Sequence, residues 1–272
     1  RQSTLLNRLV GVKLSIVSDK PQTTRARILG VQNDPRGQIV YVDTPGIHRP
    51  KHRMNVRMVD AAFESTRDVD VVALVVDASV GMGKGDRFVL SRLSADRGPV
   101  VLVLNKIDRV EKAQLLPLID AGQHAYAFAA IVPLSARTGE NVDRFETVCL
   151  DLLPEGEPLY PADYLTDQPE RVLVAEMVRE QVLRQTRAEM PFSTAVAVDR
   201  FEEPTESTPL RVYCSILVER ESQKPILIGR GGARLKRIGT AARVAIETFF
   251  EVPAFLDLRV KVRSKWRDDP RW

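Results

Sequence analysis

The sequence predicts an α/β protein with a mostly parallel sheet, followed by a smaller α+β domain. Three observations carry this. Apolar runs at residues 38–42, 69–76 and 100–104 read as buried strands, and helix-patterned segments alternate with them. A stretch rich in proline, residues 154–169, then interrupts the alternation. Beyond it the order changes to helix, two strands, two helices and a strand.

Element by element, residues 3–10 read as the opening of a helix. Residues 27–32 and 38–42 pair as strands across the turn-rich Asn33-Asp34-Pro35-Arg36-Gly37. Residues 54–67 are helical in pattern, 69–76 form a strand, and a loop with Gly81, Gly83 and Gly85 leads to a helix ending near residue 95. Strand 100–104, helix 112–121, strand 125–132 and helix 141–153 complete the first part. Pro154, Pro158, Pro161 and Pro169 make an extended linker that cannot propagate a helix. Then follow helix 170–187, strands 193–200 and 210–219, a helical turn at 223–228, a long helix at 233–250 and a final strand at 255–262. The predicted organisation is a first domain over 1–155, a linker over 156–169 and a second domain over 170–272. Residues 170–187 alternate apolar and charged positions, which suits packing on a three-stranded sheet better than a membrane helix.

The chain has 272 residues, 44% of them hydrophobic and 28% charged, as in an ordinary globular protein. Net charge is +4, yet from Lys224 to Trp272 twelve Lys or Arg stand against five Asp or Glu. A basic end on a nearly neutral body points to a polyanionic partner, either nucleic acid or an anionic membrane surface. Lys261, Arg263, Lys265, Trp266 and Arg267 fit either surface. Cys149 and Cys214 have neither metal-ligand spacing nor a disulfide pattern, so buried thiols in a reducing cytoplasm are expected. His48, His52 and His124 form no ligand cluster with them. No apolar run approaches the ~18 residues of a transmembrane helix, and no signal peptide is expected.

Two short runs sit just past buried strands: Asp43-Thr44-Pro45-Gly46 and Asn105-Lys106-Ile107-Asp108. In open parallel sheets, ligands bind beyond the carboxyl ends of the strands. Guanine presents two adjacent N–H donors at one edge, and a single carboxylate, Asp108, accepts both. Asn105 donates to a ring acceptor and braces neighbouring loops, while the stem of Lys106 lies along the base. Ser135-Ala136-Arg137 supplies a companion loop whose backbone N–H meets the guanine carbonyl. At the other end of a GTP molecule, Asp43 holds Mg²⁺ through a water, and Gly46 offers its N–H to the γ-phosphate. Thr23 and Thr24, in Pro21-Gln22-Thr23-Thr24-Arg25, lie where a switch loop completes the Mg²⁺ shell. Ser3, followed by Thr4, fits the terminal hydroxyl of a phosphate-binding loop, whose pattern is G-x-x-x-x-G-K-[ST]. Gln2 stands where that pattern has Lys, and the glycines and first strand are expected to precede the sequence given. In the second domain, Gly229-Arg230-Gly231-Gly232 fits a clamp for a sugar-phosphate chain, with Arg234, Lys236 and Arg237 adding positive charge. Ile226, Ile228, Leu235 and Ile238 supply either a floor for unstacked bases or ordinary core.

These motifs, with Ser3-Thr4-Leu5-Leu6-Asn7 and the Gly-x-x-Gly, resemble the TRAFAC-class, Era-like GTPases with a C-terminal KH domain. The resemblance covers essentially the whole chain. It implies a P-loop GTPase domain followed by a type II KH-like domain. Implied with it are GTP/GDP and Mg²⁺ as cofactors, with Ser3, Thr24 and Asp43 around the metal and Thr24 and Gly46 in catalysis. The nucleotide would be held by Ser3, Thr4, Thr23, Thr24, Asp43, Thr44, Pro45, Gly46, Ile47, Asn105, Lys106, Ile107, Asp108, Ser135, Ala136 and Arg137. Implied partners are the 3′ end of 16S rRNA and the 30S ribosomal subunit, for a monomer in the cytoplasm with some peripheral contact at the membrane. Ile47 occupies the place of the water-orienting Gln of Ras-like enzymes, so slow intrinsic hydrolysis is expected. The alternative is a non-enzymatic RNA-binding assembly factor with a degenerate nucleotide site.

Overall fold

The computed structural model describes residues 2–18, 24–25, 27–45, 68–93, 98–186, 190, 193–264 and 266. The chain divides into two compact units. One holds the residues up to Ser15 and Thr24–Asp167, and the other holds the short stretch from Ile16 and the chain from Gln168 onward.

In the first unit, helix α1 (Gln2–Val10) precedes strands β1 (Ile28–Asp34) and β2 (Gly37–Asp43). Then come β3 (Val72–Asp77), α2 (Lys84–Arg92), β4 (Val100–Asn105), α3 (Lys112–Ala125), β5 (Ala130–Leu134) and α4 (Val142–Leu152). Strands β3, β4 and β5 form a parallel sheet with β4 at its centre. All six residues of β4 are buried, because helices cover both faces. Alternation along the strand divides them. Val101 and Val103 join Leu5, Leu9, Phe145 and Cys149, whereas Leu102 and Leu104 join Leu74, Leu90 and the inner side of α3. The register sets Asp77 beside Asn105 and Asn105 beside Leu134, so the loops after all three strands open on one rim.

Strands β1 and β2 pair antiparallel from Ile28↔Asp43 to Asp34↔Gly37, leaving only Pro35 and Arg36 in the turn. The five-residue turn expected from composition is therefore shorter, since Asn33 and Asp34 remain in the ladder. Among the described residues this pair makes no strand ladder with β3. Leu5, Leu29, Ile39, Val75 and Phe145 are among the residues lining a cavity of about 390 Å³ between them.

Other elements moved as well. Helix α3 runs through Pro117 to Ala125, and β5 begins at Ala130 instead of 125. Tyr126 and Phe128 lie between them, their ring centroids 5.1 Å apart and packed on the core, which ends the helix without starting a strand. The helix expected over 54–67 lies outside the described residues.

The proline-rich stretch is extended, as its composition predicts, but not loose. Leu165 accepts a hydrogen bond from the Val31 N–H (2.9 Å), and the Thr166 hydroxyl donates to the Leu29 carbonyl (2.6 Å). The Gln38 amide oxygen accepts from the N–H groups of Leu159 and Tyr160. The stretch thereby covers the free edge of β1, which would otherwise offer unpaired backbone to another chain.

The second unit follows the expected order: α5 (Glu170–Gln185), β6 (Thr194–Glu202), β7 (Leu210–Val218), α6 (Lys224–Ile228), α7 (Ala233–Phe250) and β8 (Ala254–Val262). Strand β7 is central, antiparallel to β6 and parallel to β8. A parallel pair needs a crossover, and α6 with α7 provides it. Val174, Val178 and Val182 of α5 pack with Ile238, Ala242 and Ile246 of α7 on the sheet. Helix α5 is buried over most of its length, and two of its charged residues, Arg179 and Glu180, are enclosed. Arg179 pairs bidentately with Glu176 (2.6 Å for both contacts), and Glu180 accepts from Arg184 (2.9 Å) and from the Val17 N–H (3.2 Å). No helix among the described residues is long and apolar enough to cross a membrane.

Trp266, expected near the basic surface, is fully buried against Ala195 and Leu217 on the sheet face opposite the helices. Replacing it with Ala is expected to destabilise the second unit by about 3–5 kcal/mol, the range for an aromatic removed from a core, as read by urea unfolding followed by circular dichroism.

Candidate functional site

Asn105 closes β4 and is 2% exposed. Its amide oxygen accepts the Lys106 N–H (2.7 Å) and the Ala136 N–H (3.0 Å), tying the loop after β4 to the loop after β5. Its amide nitrogen has no hydrogen-bond partner among the described residues, although it is buried. A buried donor left unmatched is costly, so the group is suited to an acceptor arriving from outside.

Lys106 adopts a left-handed backbone (φ 71°), which turns the chain so that Asp108 faces the same rim. Its ammonium pairs with Asp77 at the end of β3. Ile107 between them is buried in the core and anchors the turn. The Asp108 carboxylate accepts from the Ser135 hydroxyl (2.6 Å) and from two nitrogens of Arg137 (3.0 and 2.7 Å). The Ser135 hydrogen bond, then the Arg137 guanidinium, hold its carboxyl below the usual carboxylate range. An ionised carboxylate on an open rim is what the paired N–H donors of guanine require.

The second cluster lies at the start of α1. Asp43, at the end of β2, is 5% exposed. One of its oxygens accepts from the hydroxyls of Ser3 (2.9 Å), Ser15 (3.1 Å) and Thr24 (3.4 Å). Ser3 and Thr24 are 2.9 Å apart. The other carboxylate oxygen is buried with no partner among the described residues. Burial raises the carboxyl above its ordinary value, against the pull of the three hydroxyls. Three hydroxyls and a carboxylate are hard oxygen donors, and the unmatched oxygen asks for a cation, so the set fits Mg²⁺. Thr4 and Thr44 are half-buried beside this cluster in sequence, and Pro45 is buried. Thr23, Gly46 and Ile47 lie outside the described residues.

Sequence reasoning missed Ser15 and Asp77. Asn7 places Ser15: its amide oxygen accepts the N–H groups of Leu14 (2.9 Å) and Ser15 (2.8 Å), and its nitrogen donates to the Ser15 carbonyl (2.8 Å). Nothing in the sequence around Ser15 marks it, but Asp77 was accessible as a polar residue closing an apolar strand.

In the second unit, Gly229, Gly231 and Gly232 all take positive φ (74°, 57° and 77°), a path that side chains with a Cβ resist. Arg230, Lys236 and Arg237 are exposed around this loop. Arg234 instead turns back, donating to the Ile226 carbonyl, and so braces the loop from within. A groove of about 420 Å³ adjoins it, lined by Leu235, Lys236, Gly239, Thr240, Arg243 and Leu258, with Gly232 and Leu256 at its ends. Ile238 is core, Ile226 is 43% exposed, and the apolar wall comes from Leu235 and the two leucines of β8.

The model of the 50S ribosome-binding GTPase family matches residues 2–106, and that of the KH domain matches residues 189–267. A P-loop-type GTPase fold joined to a KH domain defines a class of RNA-binding GTPases. The chain is 47% identical over 270 residues to the GTPase Era of Geobacter metallireducens, covering 99% of this chain and 91% of that protein. Against GTPase Era of Geobacter sp. strain M21 the identity is 48%, with the same coverage. A crystal structure of Era in complex with MgGDPNP and nucleotides 1506–1542 of 16S ribosomal RNA superposes with a TM-score of 0.94 at 42% identity, covering 99% of this chain and 92% of that one. An Aquifex aeolicus Era variant bound to GDP and AlF4⁻ gives 0.94 at 41%, again over 99% and 92%. This chain belongs to the Era family of GTPases.

Because the Asp108 carboxyl is lowered on folding, its contribution to stability is present above about pH 4 and is lost as pH falls through the lowered value. Ser135→Ala is expected to raise that value, so that binding of fluorescent GDP fails at a higher pH than in the parent protein in a titration downward from neutrality. Asp108→Asn is expected to shift preference from guanine to xanthine nucleotides, read by competition with the same probe.

Proposed function

We propose that this chain is a GTPase that binds the 3′ end of 16S rRNA and acts in maturation of the 30S ribosomal subunit. One observation carries the reading. A guanine-matched carboxylate and a set of hard oxygen donors lie in one unit, and a basic groove beside a Gly-x-x-Gly turn lies in the other. The family it belongs to supports each part, and a relative at 42% identity has been crystallised with that RNA segment and a GTP analogue.

In this reading GTP lies along the rim of the first unit. Asn105 and Asp108 read the base edge, Lys106 supports its plane, and the Ser135–Arg137 loop meets its carbonyl. Ser3, Thr24 and Asp43 hold Mg²⁺, which when bound neutralises charge on the β- and γ-phosphates. Asp43 keeps the hydroxyls of Ser3, Ser15 and Thr24 converged through one oxygen, leaving the second oxygen for a coordinated water. We assign the GTPase domain to residues 1–155, the connection to 156–169 and the KH-like domain to 170–272.

For RNA, the glycine turn lets the backbone approach a sugar-phosphate chain, and Arg230, Lys236 and Arg237 meet phosphates. Arg234 contributes by holding the turn. Bases lie against Leu235, Leu256 and Leu258. We further infer a cytoplasmic monomer, with peripheral membrane contact through the basic C-terminal part. That contact predicts binding to phosphatidylglycerol vesicles that RNA oligonucleotides do not displace.

Two variants test the groove. Placing Asp at both Gly231 and Gly232 is expected to abolish binding of a 16S 3′-end oligonucleotide while GDP affinity is retained. RNA affinity that survived would move the clamp elsewhere. Gly239 sits inside α7, where a Cβ would meet Leu258 at an ordinary 3.5 Å. Gly239→Ala is therefore expected to stabilise the protein by about 1 kcal/mol in thermal unfolding while weakening RNA binding roughly tenfold, because the added methyl occupies space for a base.

A further inference from the structure

Helix α1 carries Ser3 near its first turn and, five residues later, an arginine that the nucleotide motifs do not use. The Arg8 Nε donates to the Ala136 carbonyl and its Nη2 to the Arg137 carbonyl, both at 2.8 Å. Two successive carbonyls of the Ser135–Arg137 loop are thus held by one rigid guanidinium. Its five donors lie in a fixed plane, so two parallel bonds fix direction as well as distance. A second feature makes room for it. Gly139 has φ +93°, and a Cβ built there would come 3.0 Å from Arg8 Nη1. The loop closes on itself around the same point, through the Gly139 N–H to the Ser135 carbonyl (2.8 Å).

We propose that Arg8 is a positioning residue for guanine recognition, acting through the backbone of the Ser135–Arg137 loop. The proposal rests on reading that loop and Asn105–Asp108 as the guanine site. In a trans peptide the C=O and N–H point in opposite directions. Pinning the Ala136 and Arg137 carbonyls to Arg8 therefore aims the following N–H groups away from α1. The Thr138 N–H accordingly reaches the Ser135 hydroxyl (3.2 Å), and that hydroxyl donates to Asp108. Arg8 thus stands behind two things at once: the orientation of the loop's N–H groups and the bond that aligns Asp108. Because Ser3 and Arg8 share one helix, the cation-binding end and the base-reading end of the site are held at a fixed spacing.

Arg8→Met keeps the apolar stem and removes both hydrogen bonds. It is expected to speed release of fluorescent GDP roughly tenfold and to raise KM for GTP with kcat changed by less than about twofold, the pattern of lost ground-state placement. Discrimination between GTP and the 2,6-diaminopurine nucleotide, which has an amino group in place of the carbonyl, should shrink with it. Arg8→Lys restores one donor and should recover part of the loss, and Gly139→Ala, which crowds the guanidinium, should move the same readouts in the same direction. GDP release and base discrimination unchanged in Arg8→Met would overturn the proposal, as would a loss of thermal stability with no change in either. Asp108→Asn is assayed alongside. If it shifts base preference while the Arg8 variants do not, Arg8 has no positioning role; if it shifts nothing, the guanine-site reading itself fails.

Discussion

The buried amide of Asn105 joins the two loops that carry Asp108 and Ser135. With its oxygen shared between the Lys106 and Ala136 N–H groups, it holds the loop after β4 against the loop after β5. The contacts of Asp108 with Ser135 and of Arg8 with the loop after β5 lie next to this junction. Ser135, next to Ala136, donates to Asp108, and Arg8 meets two successive carbonyls of the same loop. The strand register makes the junction possible by bringing the ends of β3, β4 and β5 level. An amide in the same position but one residue further along the strand would point into the other face of the sheet.

The cluster around Asp43 follows a different physical logic. Asp43 is buried with one oxygen saturated by hydroxyls and the other unmatched, and its carboxyl is raised by burial. A carboxylate so placed gains from a cation, which offsets desolvation that hydroxyls alone leave in place. Asp108 is the opposite case, with its proton affinity lowered by a hydroxyl and a guanidinium. Two aspartates in one unit are thus shifted in opposite directions, one by burial and the other by a hydroxyl and a guanidinium. The two cysteines take no part: burial pushes both thiols up to about 12, so they stay protonated at neutral pH.

Much of this was legible in the sequence. The all-apolar run before Asn105 identifies a strand buried on both faces, and an Asn-Lys-x-Asp directly after it has few structural uses other than reading guanine. The order of elements after residue 168 marks a second α+β unit, and the Gly-Arg-Gly-Gly turn stands out for three glycines in four residues beside a basic helix start, all three of which take positive φ in the structure. Arg234 looked like one more phosphate contact, yet its side chain folds back on Ile226, a choice made by local geometry and invisible to charge counting. Trp266 sat among basic residues and proved to be core, because the outer face of β6 and β7 presents Ala195 and Leu217 to it.

By itself the sequence determined the alternation of strands and helices, the two-part organisation and the placing of Asn105 and Asp108 just past a strand buried on both faces. These follow from local patterns, because periodicity and donor–acceptor chemistry are properties of a few neighbouring residues. The tertiary structure alone decided that Ser15 joins the Asp43 cluster, that Arg8 holds a loop more than a hundred residues away, and that the proline-rich stretch seals the edge of β1. Those contacts depend on where distant backbone segments cross, and chain packing sets the crossing without leaving a spacing in the sequence.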